Sequence, residues 1–210
     1  MNERRLFKKQ RNLKNNNNKI ANHMDGIVHV ITKNINFEQL KGTYYEIATN
    51  VSDKIFPGLL CRCTKYDFSG LNLDGKIGYI LVSFSCNRNY IFNEKKSELT
   101  FKFILNKEVD ENTNSVEVFN ASVYLVEGHQ QVLLNDNMNI IYAETNDKNE
   151  YEHVIIGGEK STEPMIIISR NRTVLLDTYN KLINSLYVAG YDPSLLTWPF
   201  IIQTDQTFCD

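Results

Sequence analysis

At 210 residues, 42% hydrophobic and 11% aromatic, the chain is long enough for one domain with a sizeable core and is not of disordered composition. A net charge of −2 gives no global reason to expect a nucleic-acid partner. No segment reaches the apolar length of a membrane-spanning helix.

The charge is unevenly placed. Arg4, Arg5, Lys8, Lys9, Arg11, Lys14 and Lys19 crowd the first 24 residues around the run Asn15–Asn18, with Glu3 as the counter-charge. This stretch has no apolar period, so residues 1–34 are expected to form a largely disordered, solvated extension, in preference to a nucleic-acid or anionic-membrane arm. No apolar run follows Met1, so an ordinary signal peptide is not visible and the chain is either cytosolic or has lost an export signal. The heavy use of Asn, Lys and Ile suits an AT-rich genome.

From residue 42 the sequence becomes a succession of short strands. Tyr44–Thr49 carries one acid, Glu46, among apolar neighbours, and Arg62–Phe68 follows. Asp74-Gly75 marks a hairpin into Ile77–Ser85. Leu99–Leu105 alternates, with Leu99, Phe101, Phe103 and Leu105 on one face. Val116–Leu125, Asn139–Glu144, Tyr151–Gly157 and Met165–Arg170 complete eight strands, the number that closes into a small barrel. Residues 86–98 and 126–138 read as connections. The period then changes: Leu175, Leu176, Tyr179, Leu182, Ile183 and Leu186 recur at helical spacing, Gly190 stands where a left-handed cap is wanted, and Pro193 follows. The expected fold is all-β, an eight-stranded antiparallel up-and-down barrel with one C-terminal helix packed outside, then an extended tail.

Four cysteines, Cys61, Cys63, Cys86 and Cys209, fit no common zinc spacing. Cys209 is penultimate, which points to a disulfide tying the tail to the body. His23, His29, His129 and His153 form no metal or triad pattern, and no nucleophile elbow or phosphate loop is present, so a catalytic role, a metal and an obligatory cofactor are not expected. Tripeptides beginning at Asn50, Asn120 and Asn171 match the glycosylation acceptor.

Eight strands, one helix and a cysteine-ended tail, in that order, resemble a lipocalin. Asn36, Phe37, Gly42, Tyr44 and Tyr45 resemble the family's opening Gly-x-Trp-Tyr signature with its Asn-Phe pair, with Tyr44 in the tryptophan's place. Thr145, Asp147 and Tyr151 resemble the turn motif between strands six and seven, with one residue inserted, and Arg170 the arginine that ends strand eight. "GYDPSLL" and "QTDQTFC" are most similar to the apolipoprotein D and bacterial outer-membrane lipocalin branch, and the Asn-rich composition suggests a protozoan (apicomplexan-type) member. The resemblance covers residues 35–210.

The resemblance implies that Tyr44 plugs the closed end under the Arg170 guanidinium, and that Gly42 permits the bend before it. It implies a Cys61–Cys209 disulfide, leaving Cys63 for Cys86, with the exchange of Cys61 and Cys63 an open alternative. Strand parity puts Arg62, Tyr66 and Phe68 inside and Cys61, Cys63, Lys65 and Asp67 outside. The calyx lining is then Arg62, Tyr66, Phe68, Tyr79 (or Ile80), Phe101, Phe103, Val118 and Ile166. A lining of this kind suits a small hydrophobic ligand such as a fatty acid, lysolipid, sterol or tetrapyrrole, with His129 at the mouth a weak candidate for haem. The apolar stretches around Phe56 and Leu133 read as mouth loops that touch a membrane, gate the calyx or self-associate into a homo-oligomer. Alternatives to a carrier are a thiol-dependent enzyme-like lipocalin, acting as an isomerase or lipid-peroxide reductase, and an oligomeric interaction protein. Disulfides imply a secreted or lumenal compartment, extracellular or vacuolar, if an export signal has been removed.

Overall fold

Eight antiparallel strands form a closed wall: β1 (Gly42–Asn50), β2 (Cys61–Phe68), β3 (Ile77–Tyr90), β4 (Asn93–Leu105), β5 (Asn120–Glu127), β6 (Gln130–Thr145), β7 (Tyr151–Gly157) and β8 (Met165–Ser169). Each pairs with the next, and β8 pairs with β1 to close the barrel. The structure is a computed structural model that describes residues 27–50, 61–74, 77–90, 93–110, 112–161, 163–196, 201–204, 206 and 209. Phe56 and its loop, the Gly75 turn and the basic residues 1–26 lie outside the described residues.

The period-2 pattern makes this wall because each strand sends alternate side chains inward. Tyr44, Tyr66, Phe84, Phe101, Val123, Ile140, Val154 and Ile168 bring one buried side chain from each strand into a single core. A second core lies outside the wall, where Ile47, Ile141, Ile155 and Ile167 meet Leu182, Leu186 and Ala189 of helix α2 (Leu176–Ala189). Strands buried on both faces read as unbroken apolar runs, as in Ile166–Ile168. Helix α2 ends as expected: Gly190 has φ 100°, and its N–H reaches the carbonyls of Leu186 and Tyr187.

Two stretches expected as connections are strand. The β3–β4 hairpin continues through polar pairs such as Asn87 with Lys96, and β6 begins at Gln130 and runs through Val132–Leu134. Polar residues hid the first extension, because beyond the barrel rim neither face needs to be apolar, and the second was read as an apolar mouth loop around Leu133. Conversely, Val116 is not part of β5. Ser115–Val116 pairs with Ile35–Asn36, and a bend separates it from Asn120. Residues 28–34, assigned by charge pattern to the extension, pack on the domain: Val28 joins the helix-side core, and the N–H groups of Ile31 and Thr32 bond Ile141 O.

The end of the barrel opposite these long hairpins is sealed. Helix α1 (Phe37–Leu40), capped by Asn36, tucks Phe37 and Leu40 beneath the floor. Tyr44 is buried and donates its hydroxyl to Tyr151 O at 2.9 Å, and its ring packs edge-on against Phe68. Arg170 lies over that ring, Cζ to centroid 4.6 Å. Its guanidinium donates to Tyr151 O (2.8 Å), Gln39 O (3.1 Å) and Lys41 O (2.8 Å). Gly42 is required here on two grounds: its φ is +113°, and an added Cβ would stand 2.9 Å from Arg170 Nη1. In the turn between β6 and β7, Asp147 is exposed, and Asn146 does the organising: its Oδ1 accepts the N–H groups of Lys148 and Glu150.

Truncation of Arg170 leaves three carbonyls and a ring face without their cation. Arg170→Ala is therefore expected to lower the unfolding free energy by about 2–4 kcal/mol. Gly42→Ala should follow in the same direction, and Lys41→Ala, which keeps the carbonyl, should change little. Urea denaturation of the three variants checks this.

Candidate functional site

The interior divides along its axis. Toward the sealed end it is filled by rings in contact, Tyr66 with Phe84, Phe84 with Phe101, and Phe103 with Phe119. Toward the other end, Leu99, Leu125 and Leu134 pack against the same core yet stay half-buried. An apolar surface that is both inward-facing and incompletely covered is where a barrel offers area to a small molecule.

A buried carboxyl interrupts this apolar interior. Glu46 is 1% exposed and shares its face with Ile168, opposite it in the β8 register. Its carboxyl accepts the Tyr66 hydroxyl at 2.7 Å and the Thr204 hydroxyl at 2.5 Å. Burial pushes the Glu46 carboxyl above the ordinary carboxylate value, partly offset by the hydrogen bonds from Thr204 and Tyr66. Burial, followed by the charge of Glu46, likewise raises the Tyr66 phenol.

Thr204 belongs to a tail that forms part of the wall. Above Tyr45 and Lys65, β1 and β2 separate, and strand β9 (Ile201–Gln203) pairs with β1 through Ala48, Thr49 and Asn50. Where the strands part, Gln206 Nε2 donates to Glu46 O on β1 (2.9 Å) and Thr64 O on β2 (2.8 Å). The tail is thus a wedge in the β1–β2 gap, and Glu46 joins it to the interior.

The disulfides pair Cys61 with Cys86 and Cys63 with Cys209, the exchange of the pairing that the resemblance implied. The cause is a β-bulge. The β2–β3 register jumps between Arg62 and Lys65, and Cys63 adopts φ 56°. One extra residue reverses the parity above it, so Cys61 turns inward to Cys86 in the buried core, and Cys63 is left for the tail. The same bulge sets Arg62 opposite Asn87, on the face away from Cys86, and removes it from the interior. All four cysteines are bridged, so the thiol-dependent alternative has no thiol to use.

Of the other expected lining residues, Tyr66, Phe68, Phe101, Phe103 and Ile166 share the interior core. Tyr79 does not: Ile80 points inward, and Tyr79 lies outside under the Lys102 ammonium, 4.2 Å from its ring centroid. Val118 sits in the bend before β5, and Phe119 takes the inward place. His153 is buried with Nδ1 unpartnered, and burial lowers its pKa. His129 is exposed at the β5–β6 turn. Of the acceptor tripeptides, Asn50 is buried with its amide bonded to Glu163 O and Met165 N, while Asn171 is exposed. Among the described residues, no three His, Cys, Asp or Glu side chains converge to hold a metal ion.

Comparison with known proteins gives no matching family model and no matching curated protein. Solved structures do match. The amine binding protein of Rhodnius prolixus, in its tryptamine complex, aligns over 85% of this chain and 86% of its own at 19% identity, with a TM-score of 0.51. The fold is a lipocalin calyx. Apocrustacyanin C2 aligns over 88% of this chain and 93% of its own (11% identity, TM-score 0.49). Lobster apocrustacyanin A1 covers 87% and 92% (10% identity, TM-score 0.46). At these identities the likeness is one of fold. Gly42, Tyr44, Tyr151 and Arg170 all stand at the closed end, whereas the sequence reading assigned no role to Glu46, or to Thr204 and Gln206 within "QTDQTFC". The lone acid in an apolar strand was the available signal for Glu46.

A carboxyl whose folded pKa is raised favours its protonated form. Its contribution to stability is full below the ordinary value near 4.5 and is lost as pH rises through the folded value. The unfolding free energy of wild type minus that of Glu46→Gln should therefore fall from about pH 4.5 upward. His153, with its lowered pKa, acts in the opposite sense at lower pH and cancels in the difference. Denaturant titrations across pH 4–8 test the slope, and a flat difference would reject a buried, titrating Glu46.

Proposed function

We propose that the chain binds and carries a small hydrophobic ligand in the upper half of the calyx. One observation carries this reading: a barrel sealed below by Arg170 and Tyr44 is lined above by the half-buried Leu99, Leu125 and Leu134. Sterols, lysolipids, tetrapyrroles and fatty acids all suit an apolar lining. Glu46 orders these choices, because two acids set side by side in low dielectric cannot both ionise, so a ligand carboxylate there would bind only at the cost of a proton. The reading therefore favours ligands whose inner end is neutral or cationic, and a free fatty acid would keep its carboxylate at the mouth. That the Rhodnius protein is an amine binding protein of the same fold supports a cationic end. The two disulfides favour a secreted or lumenal compartment. The C-terminal "GYDPSLL" and "QTDQTFC" favour the apolipoprotein D and bacterial outer-membrane branch, and the Asn-rich composition a protozoan member.

Displacement of a fluorescent fatty acid tests the calyx, with cholesterol, a lysolipid, octadecylamine and haemin as competitors. At least one should displace the probe, and Leu125→Asp should weaken probe binding about tenfold or more, as expected for a charge in an apolar pocket. Absence of probe binding, with native mass spectrometry of protein from its source showing no bound molecule, would overturn the reading.

Self-association has a specific observation in its favour. Val132 and Leu133 are 50% and 45% exposed on β6, where the hairpin stands beyond the barrel. Light scattering of Val132→Asp, Leu133→Asp should show a smaller particle than wild type; an unchanged mass rejects this contact.

A further inference from the structure

Outside the wall, the start of helix α2 and the tail wedge enclose a groove of about 480 Å³. Ile47, Val174, Leu176 and Tyr179 give it apolar sides, and Gln203, Thr204 and Gln206 line it from the tail. Leu176 is 72% exposed, an apolar side chain held open to solvent.

Some polar groups of the groove are already committed. The Thr204 hydroxyl is given to Glu46. The Arg172 guanidinium at the rim lies over Tyr45, 5.0 Å from the ring centroid. Gln206 is buried and only partly satisfied. It is 7% exposed, and its Nε2 donates to both Glu46 O and Thr64 O. These two bonds fix the amide orientation and leave Oε1 as a buried acceptor with no hydrogen-bond partner. A buried acceptor beside an apolar groove is complementary to a molecule that brings one donor and an apolar body.

We propose that this groove is a second, outer-wall binding site for a short single-chain amphiphile whose head donates a hydrogen bond to Gln206 Oε1. The head is a hydroxyl or an ammonium, and the chain lies along Ile47, Val174, Leu176 and Tyr179. A carboxylate head binds more weakly, since it offers no donor to Oε1 and the Arg172 guanidinium at the rim is engaged over Tyr45. The site stands apart from the calyx and does not depend on what the calyx holds.

Octanol, octylammonium and octanoate share a chain and differ in head, so titrating each into ¹⁵N-labelled protein isolates the head chemistry. Octanol or octylammonium should shift the Leu176, Thr204 and Gln206 resonances, the Gln206 side-chain amide included. Octanoate should require at least about tenfold higher concentration. Tighter octylammonium identifies the head as cationic, and equal affinities identify it as the shared donor. Leu176→Asp should weaken the groove response about tenfold or more while leaving displacement of the calyx probe unchanged. Equal shifts with octanoate, shifts confined to Leu99 and Leu125, or no shifts would each overturn the proposal. Loss of calyx binding alone would leave it standing.

Discussion

The Arg170 guanidinium is the contact on which the rest of this barrel depends. Barrel closure brings the ends of β1 and β7 and helix α1 to the end of β8, where they present the Tyr44 ring and the carbonyls of Tyr151, Gln39 and Lys41 to Arg170. One planar, permanently charged group with five donors reaches Tyr151, Gln39 and Lys41 and still covers Tyr44. Gly42 follows from that choice, since only a residue without a side chain lets the chain pass so near the guanidinium. With one end fixed in this way, any ligand has to be held from the other half.

The opposite half is governed by a separation of strands. β1 and β2 are not paired above Tyr45, and the tail bonds there through β9 and Gln206. A carboxyl at this junction is costly, because desolvation opposes its charge. The Tyr66 and Thr204 hydroxyls reduce that cost and tie an inward-facing ring to the outer wedge. Glu46 thus links the interior, where the calyx is proposed to bind, to the tail that borders the outer groove.

The fold was legible in the sequence wherever apolar patterning dominates. Tyr151–Gly157 and the stripe of α2 read directly. Failure came where polar residues extend a hairpin past the rim, as at Asn87 and Lys96, and where one residue is inserted into a strand. Parity counting through β2 assumed an unbroken period of two, so it sent Arg62 inward and Cys61 outward, and the bulge at Cys63 reverses both. Tyr79 and Val118 show the same sensitivity, each being one residue from the side chain that points inward. The Gln206 site lay beyond reach, since it arises from two strands and a tail brought together only by folding.

The bulge in β2 also sorts the cysteines. Cys61 and Cys63 are two residues apart, yet one faces the core with Cys86 and the other meets Cys209, each pair at a Cα–Cα distance of 5.4 Å. In an unbroken strand the two would lie on one side and compete for the same partners. Here the left-handed residue puts a wall of main chain between them. Once β2 is formed, the crossed pairing is excluded by direction alone. The choice of partner is thereby written into the backbone of a single strand and does not rest on the chemistry of the sulfurs or the order in which they meet an oxidant.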